Sequence, residues 1–294
     1  MTQIKKGIKL IQVPFIDSSQ MLRVFLYNFN AEVTSMRKVF HRYGPNVRVL
    51  SDPMANSGLT RLSDKQTGQH DVRGLAAALF REVLLRSVVS EILPTTEVMV
   101  ATPMTEFIGE RGQLVSEITD PSSLVTLATL LRAGDVPASA CFSRLSGLLN
   151  PSCVRQDFFG AGRVTDEEHR VTGTKVTYQK IGDLQGRFLL IPDPMGATGG
   201  TVVETIGLYG EEQIKAAKAI VAMHLIITPE YIRRVLSAYP QVQIFALRLD
   251  RGMSDQDVLD SVPGTFPERE FGLTKTQYIA PGAGDLGYRL TGAE

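Results

Sequence analysis

The chain is poor in the residues that most often announce chemistry. It has no tryptophan, two cysteines and four histidines among 294 residues. Cys141 and Cys153 form no CxxC pair, and two thiols alone cannot build a zinc site. His41, His70, His169 and His224 show no metal-ligand spacing such as HExxH. The sequence therefore offers no resident metal site, and two reduced thiols fit a cytoplasmic protein. An excess of one charge is missing too: 31 Lys and Arg face 31 Asp and Glu, for a formal net charge of +0. No global field draws this chain to nucleic acid or to an anionic membrane. No apolar run is long enough to span a bilayer. Asp17 and scattered polar residues break any signal-like run near the N-terminus. Internal repeats and low-complexity tracts are also absent.

What remains is an ordinary globular composition, 43% hydrophobic and 21% charged. Residues 1–45 read as an N-terminal extension with a helical middle, Ser19 to Phe40. Residues 46–294 read as the main domain. Asp71 to Ile92 fits a helix capped by Asp71, with Leu75, Leu79, Val83 and Val89 on one face, and Pro94 stops it. Strands and helices then alternate. Ser123–Leu131 is an apolar strand and Pro137–Leu149 a helix. Gln156–Thr165 and Thr174–Ile181 form a protruding hairpin around the turn Asp166-Glu167-Glu168-His169. Phe188–Ile191 is a buried strand followed by a helix after Gly200. Ala219–Ile227 is a strand, Pro229–Tyr239 a helix opened by proline, and Val242–Leu249 a strand. This order predicts an α/β fold, a Rossmann-like and mostly parallel sheet flanked by helices. Ligands of such sheets bind beyond the carboxyl ends of strands, where Asp193 and Arg132 fall.

The most telling stretch is Phe188 to Leu208. A buried strand ends at an acid, Asp193, followed by Pro194 and Met195. Then come Gly196-Ala197-Thr198-Gly199-Gly200-Thr201 and an apolar helical pattern. Such a turn exposes backbone N–H groups, its glycines let an anion approach, and the helix start adds partial positive charge. It is neither a Walker A loop, since no Lys-Ser or Lys-Thr follows the glycines, nor GxGxxG. The acid suits sugar hydroxyls or hydrated Mg²⁺, and the hydroxyls of Thr198 and Thr201 suit phosphate oxygens. Upstream, Leu131-Arg132-Ala133-Gly134 sets an arginine at a strand end before a small-residue turn. Its guanidinium suits bidentate hydrogen bonds to a pyrophosphate. Near the end of the chain, Tyr278-Ile279-Ala280-Pro281-Gly282-Ala283-Gly284-Asp285-Leu286-Gly287-Tyr288-Arg289 is a loop rich in glycine with one proline.

DPMGATGGT resembles the phosphoribosyl-pyrophosphate loop of the uracil phosphoribosyltransferases, DPM-x-ATGG followed by Ser or Thr. LRAG resembles that family's pyrophosphate loop. Residues 278–289 resemble its uracil-reading loop, and Thr228-Pro229-Glu230 its A-P-E turn. The resemblance covers most of residues 48–294. It implies the type I phosphoribosyltransferase fold and the conversion of uracil and 5-phospho-α-D-ribose 1-diphosphate to UMP and diphosphate, a pyrimidine-salvage reaction with Mg²⁺. By resemblance, Arg132 and Asp285 act in catalysis. Arg132, Arg163, Asp285 and the run Asp193, Pro194, Met195, Gly196, Ala197, Thr198, Gly199, Gly200 and Thr201 bind the donor. Ile279, Gly284, Asp285 and Leu286 read uracil. Relatives form homodimers or larger assemblies, and some are controlled by nucleotides such as GTP.

Four departures stand out. Asp135 follows LRAG where the family has an apolar residue. Thr165 stands where the family carries the arginine of Tyr-Arg. Arg163 is two residues away, so strand alternation keeps it on the same face, and Arg170 is the weaker substitute. Tyr288 replaces the second acid of the base loop. Residues 254–275 form an insertion that reads as a lid, an oligomer contact or a plain surface loop. Two other readings stay open: a catalytically weak nucleotide-binding regulatory paralogue, and a phosphoribosyltransferase for another pyrimidine.

Overall fold

The computed structural model describes residues 37–165 and 171–292, with side chains given outside 161–177. Its centre is a sheet of eight strands, most of them predominantly apolar. These are β1 (Val47–Val49), β4 (Val125–Leu131), β5 (Val154–Thr165), β6 (Val171–Lys180), β7 (Phe188–Pro192), β8 (Met195–Gly196), β9 (Ala219–Ile227) and β10 (Gln243–Leu249). The order is β1-β10-β9-β7-β4-β5-β6, with β8 pairing beside β9. All pairings are parallel except β5–β6. Strands such as FLLIP and AIVAMHLII need no polar face because helices cover both sides of a parallel sheet.

Those helices are α1 (Pro53–Ser63), α2 (Gln69–Ala78), α3 (Leu85–Ile92), α5 (Asp135–Ser146), α6 (Gly200–Gly207), α7 (Gly210–Ala216), α8 (Pro229–Ala238), the short α9 (Gln256–Leu259) and α10 (Leu286–Thr291). Side-chain alternation along the strands divides the core in two. Leu127, Leu190, Val221 and Met223 join Phe80, Leu84 and Leu145 on one side. Ala128, Leu189, Ile191 and Ala222 join Val202, Ile206, Tyr231 and Val235 on the other.

The strands and helices expected from Asp71 onward are present, most with shifted ends. The helix expected from Asp71 to Ile92 is α2 and α3 joined by a π-helical segment, Leu79–Leu84. Its cap is Gly68 rather than Asp71, which lies in the first turn and pairs with Arg61 at 3.1 Å. The helix expected over Ser19–Phe40 lies mostly outside the described residues. Its described end is extended instead: Lys38 bridges Leu50 antiparallel and Val39 N–H donates to Val49 O. A sheet edge next to β1 captured this segment. The turn Asp166–His169 and Arg170 fall outside the described residues.

Residues 98–116 cluster apart from the main unit. Here β2 (Thr95–Ala101) and β3 (Gln113–Thr119) make a separate two-stranded sheet, with one turn of helix, α4 (Thr105–Ile108), at its tip. Met99, Met104, Phe107, Ile108 and Leu114 are exposed on this arm. No helix among the described residues is long and apolar enough to cross a membrane.

Candidate active site

The strand order places the site. From β4 the chain crosses through α5 to β5 on one side. From β7 it crosses through α6 and α7 to β9 on the other. The carboxyl ends of β4 and β7 are therefore neighbours whose following loops part, the crevice where open α/β sheets bind ligands. The LRAG turn leaves β4 and the DPM loop leaves β7. Between them and the base loop lies a cavity of about 530 Å³.

At the β4 end, Gly134 N–H donates to Leu130 O at 2.8 Å. A Cβ on Gly134 would meet that carbonyl at 2.6 Å, so only glycine closes this turn. The Leu131–Arg132 peptide is cis. Arg132, Ala133 and Gly134 line the cavity. Asp135 does not. It opens α5, where an acid is favourable against the helix dipole, and accepts from Ser139 Oγ at 3.3 Å.

At the β7 end, the carbonyls of the loop are tied away from the cavity to β9 and α8. Pro194 O accepts from Leu225 N–H at 3.1 Å, Gly196 O from Thr228 N–H at 3.1 Å, and Ala197 O from Thr228 Oγ1 at 2.6 Å. Thr228 also caps α8, accepting from Tyr231 N–H at 3.0 Å, and Pro229 supplies its first turn. A Cβ on Gly196 would stand 2.9 Å from Ile227 Cγ2 and from Tyr231 Cδ2. Gly199, at φ +79, turns the chain into α6. Asp193 through Gly199 and Thr201 line the cavity, whereas Gly200 backs onto the Arg234 guanidinium.

The base loop closes the third side. Arg248 and Asp250 form a bidentate pair at 2.6 and 2.9 Å; Asp250 Oδ2 accepts from Gly282 N–H and Arg248 donates to Gly282 O, both at 2.8 Å. Arg289 donates from Nη1 to Ala283 O and Leu62 O and from Nη2 to Asp64 O and Thr67 O. Glu230 accepts from Gly272 and Leu273 N–H, and Leu273 bridges Ile279. Ile279, Gly284, Asp285 and Leu286 line the cavity. Asp285 also caps α10, accepting from Tyr288 N–H at 3.0 Å. Tyr288 lies in a neighbouring groove, beside Lys65 and Arg289, and does not line this cavity.

Sequence reasoning did not place Gln277 or Tyr231 at the site, yet both line the cavity, Gln277 at φ +65 and Tyr231 under Gly196. A non-glycine residue in the left-handed region leaves no local sequence signal. Arg163 pairs with Thr174 in the hairpin, and its side chain is outside the described set. The pairing shifts register between Val164 and Thr165. Strict alternation, on which the two-residue offset from Thr165 rests, is interrupted there. The insertion lines no part of the cavity. Arg251 donates to the carbonyls of Val258, Leu259 and Ser261, and buried Glu270 accepts from Gly264 N–H and from Tyr43 Oη, so it folds as a buttress behind the base loop. Burial and the Glu270 contact push the Tyr43 phenol well up, so it stays the donor.

A mostly parallel sheet with a glycine-rich loop, an arginine turn and a terminal glycine loop meeting at one switch point is the arrangement of the type I phosphoribosyltransferase fold. The chain belongs to the uracil phosphoribosyltransferase family, whose model matches residues 49–272. It is 28% identical over 254 residues to the uracil phosphoribosyltransferase of Burkholderia vietnamiensis, covering 85% of this chain and 96% of that one. It is 28% identical over 249 residues to that of Dictyoglomus thermophilum, covering 84% and 100%. Among solved structures, the AQ2163 protein from Aquifex aeolicus shares the fold, with a TM-score of 0.62 and 22% identity over 84% of this chain and 99% of that one.

Proposed function

We propose that the protein transfers the phosphoribosyl group of 5-phospho-α-D-ribose 1-diphosphate to uracil, giving UMP and diphosphate. The observation that carries this reading is the meeting of three loops around one cavity. Each has a chemistry that fits one part of the reaction: diphosphate at Arg132, phosphoribosyl at Asp193–Thr201, base at Ile279–Leu286.

The bond to diphosphate at the anomeric carbon breaks ahead of bond formation to the base nitrogen, so the sugar becomes oxocarbenium-like. The protein's task is alignment and charge stabilisation. Arg132 takes up the charge of the leaving diphosphate. The N-terminus of α6 with Thr198 and Thr201 grips the 5′-phosphate, and Asp193 faces the ribose hydroxyls. Ile279, Gly284 and Leu286 offer main-chain groups to uracil, and Asp285 orients base and sugar. Arg163 of the hairpin is the proposed replacement for the family's arginine. The hairpin closes over the site and excludes competing water.

Among the described residues no group of three or more His, Cys, Asp or Glu could hold a metal. Asp193 and Asp285 are the acids among the described lining residues. Two carboxylates plus phosphate oxygens suit Mg²⁺, which keeps waters and substrate oxygens in its shell. These residues would hold the ion brought with the donor, and it would neutralise diphosphate charge. A homodimer or larger homo-oligomer fits the exposed apolar side chains of the β2–β3 arm, and sedimentation tests it. The cytoplasm suits an enzyme whose two cysteines are free and buried.

The test is UMP formation from uracil, donor and Mg²⁺. No UMP at micromolar enzyme would sink the reading. Donor binding without transfer would favour a regulatory nucleotide-binding role. Gln277, at φ +65 in the cavity lining, favours a second reading, another pyrimidine acceptor, which a panel of bases competing for one donor decides.

A further inference from the structure

His224 lies in the middle of the apolar strand β9 and is fully buried. Its Nδ1 is 2.6 Å from the main-chain oxygen of Asp193, and its Nε2 is 2.6 Å from Tyr231 Oη. A carbonyl only accepts, so Nδ1 carries the proton. The neutral ring then accepts at Nε2, and Tyr231 O–H must donate to it. The geometry permits one tautomer and one direction: tyrosine to histidine to the Asp193 carbonyl. Burial pushes His224 down to about 3, and burial with the nearby Asp193 charge pushes Tyr231 well up. Both therefore hold these protonation states across the neutral range.

The two ends of this chain are both at the site. Tyr231 and Asp193 line the same cavity. The Tyr231 ring stacks edge-on against His224 at 4.6 Å between centroids and fills the space under Gly196. Asp193 is held from both sides, since its N–H donates to Met223 O at 3.0 Å while His224 holds its C=O. With both flanking peptide planes fixed, only the side-chain torsions of Asp193 remain to aim its carboxylate.

We propose that His224 and Tyr231 are positioning residues for the donor site: the tyrosine hydroxyl fixes the imidazole, and the imidazole fixes the main chain at Asp193 so that its carboxylate meets the ribose hydroxyls. This deepens the reading above and rests on it. Neither residue touches a reacting atom. Their loss loosens the donor's ribose end and leaves the base loop, anchored elsewhere, as it was.

The test measures donor affinity by calorimetry with Mg²⁺, the KM of donor and of uracil, and the melting temperature. Wild type is compared with His224→Leu, His224→Asn and Tyr231→Phe. Loss of one hydrogen bond to a buried carbonyl predicts about tenfold weaker donor binding in His224→Leu. Tyr231→Phe, which removes a single oxygen and keeps the ring, predicts about threefold, and uracil KM stays within about twofold. His224→Asn puts an amide N–H near the Nδ1 position. It should recover donor affinity over His224→Leu although it melts lower, because a smaller polar group sits in an apolar strand. Donor affinity that simply follows melting temperature across the variants overturns the proposal. So does unchanged donor affinity in Tyr231→Phe, a variant that keeps its packing even where the histidine variants fail to fold. Wild-type protein that binds donor but makes no UMP sinks the uracil reading alone, and calorimetry still judges the relay. Wild-type protein that binds no donor overturns both.

Discussion

At the donor end of the cavity, the carbonyls of Asp193, Pro194, Gly196 and Ala197 are fastened to β9 and α8 by Leu225, Thr228 and His224. At the base end the fastening is ionic. Arg248, Asp250, Arg289 and Glu230 hold the backbone of residues 272–283 through charged side chains. Main-chain and neutral bonds fix a loop without adding charge beside the proposed anionic donor. Charged anchors suit the other end, where the proposed ligand is a neutral ring. The difference teaches which substitutions should act on stability and which on affinity.

Asp250→Ala should break the contrast most forcefully. It leaves Arg248 and Gly282 N–H without their buried partner, at about 3–5 kcal/mol. Chemical denaturation should reveal the loss, with uracil KM rising more than donor KM. At the donor end, Arg132→Ala should barely change the melting temperature. Losing charge-assisted hydrogen bonds should cut kcat/KM for the donor about 10- to 100-fold in steady-state assays. If it instead unfolds the protein, the division between the halves fails.

The neutral clamp can be probed by acid. Unfolded, the His224 imidazole protonates below its ordinary 6.5; folded, it stays neutral to about 3. The unfolded state therefore binds the extra proton between those values. Stability falls as pH drops through that window, by about 1.4 kcal/mol per unit. Subtracting the pH profile of His224→Leu isolates this part in denaturant melts. Asp285→Asn sharpens the comparison further, since asparagine still caps α10. Turnover should fall about tenfold with little change in melting, which would assign the charge to chemistry rather than to the cap. Least of all, Tyr288→Phe should alter either KM by less than about twofold, because surface changes away from the cavity are worth within ~0.5 kcal/mol. A larger shift in uracil KM would bring Tyr288 back into the base site.

The parallel sheet was legible because β4, β7, β9 and β10 are predominantly apolar, a pattern that suits a core on both faces. The three cavity loops were legible because anion turns need glycine at fixed places, and a Cβ at Gly134 or Gly196 would strike its neighbours. The arm over Thr95–Thr119 and the strand Val47–Val49 were not. Their residues lack a clear period, and pairing alone decides them. His224 in the sequence was only a histidine without metal spacing.

By itself, then, the sequence determined the sheet, the order of its loops and the family, since these rest on local backbone preferences and on contiguous motifs. Tertiary structure alone decided that Asp135 turns away, that Tyr288 faces another groove, that the insertion is a buttress, and that His224 reaches Asp193. Each depends on residues far apart in the chain that only sheet pairing brings within hydrogen-bond distance. A 2.6 Å contact between positions 193 and 224 has no periodicity for a sequence to display.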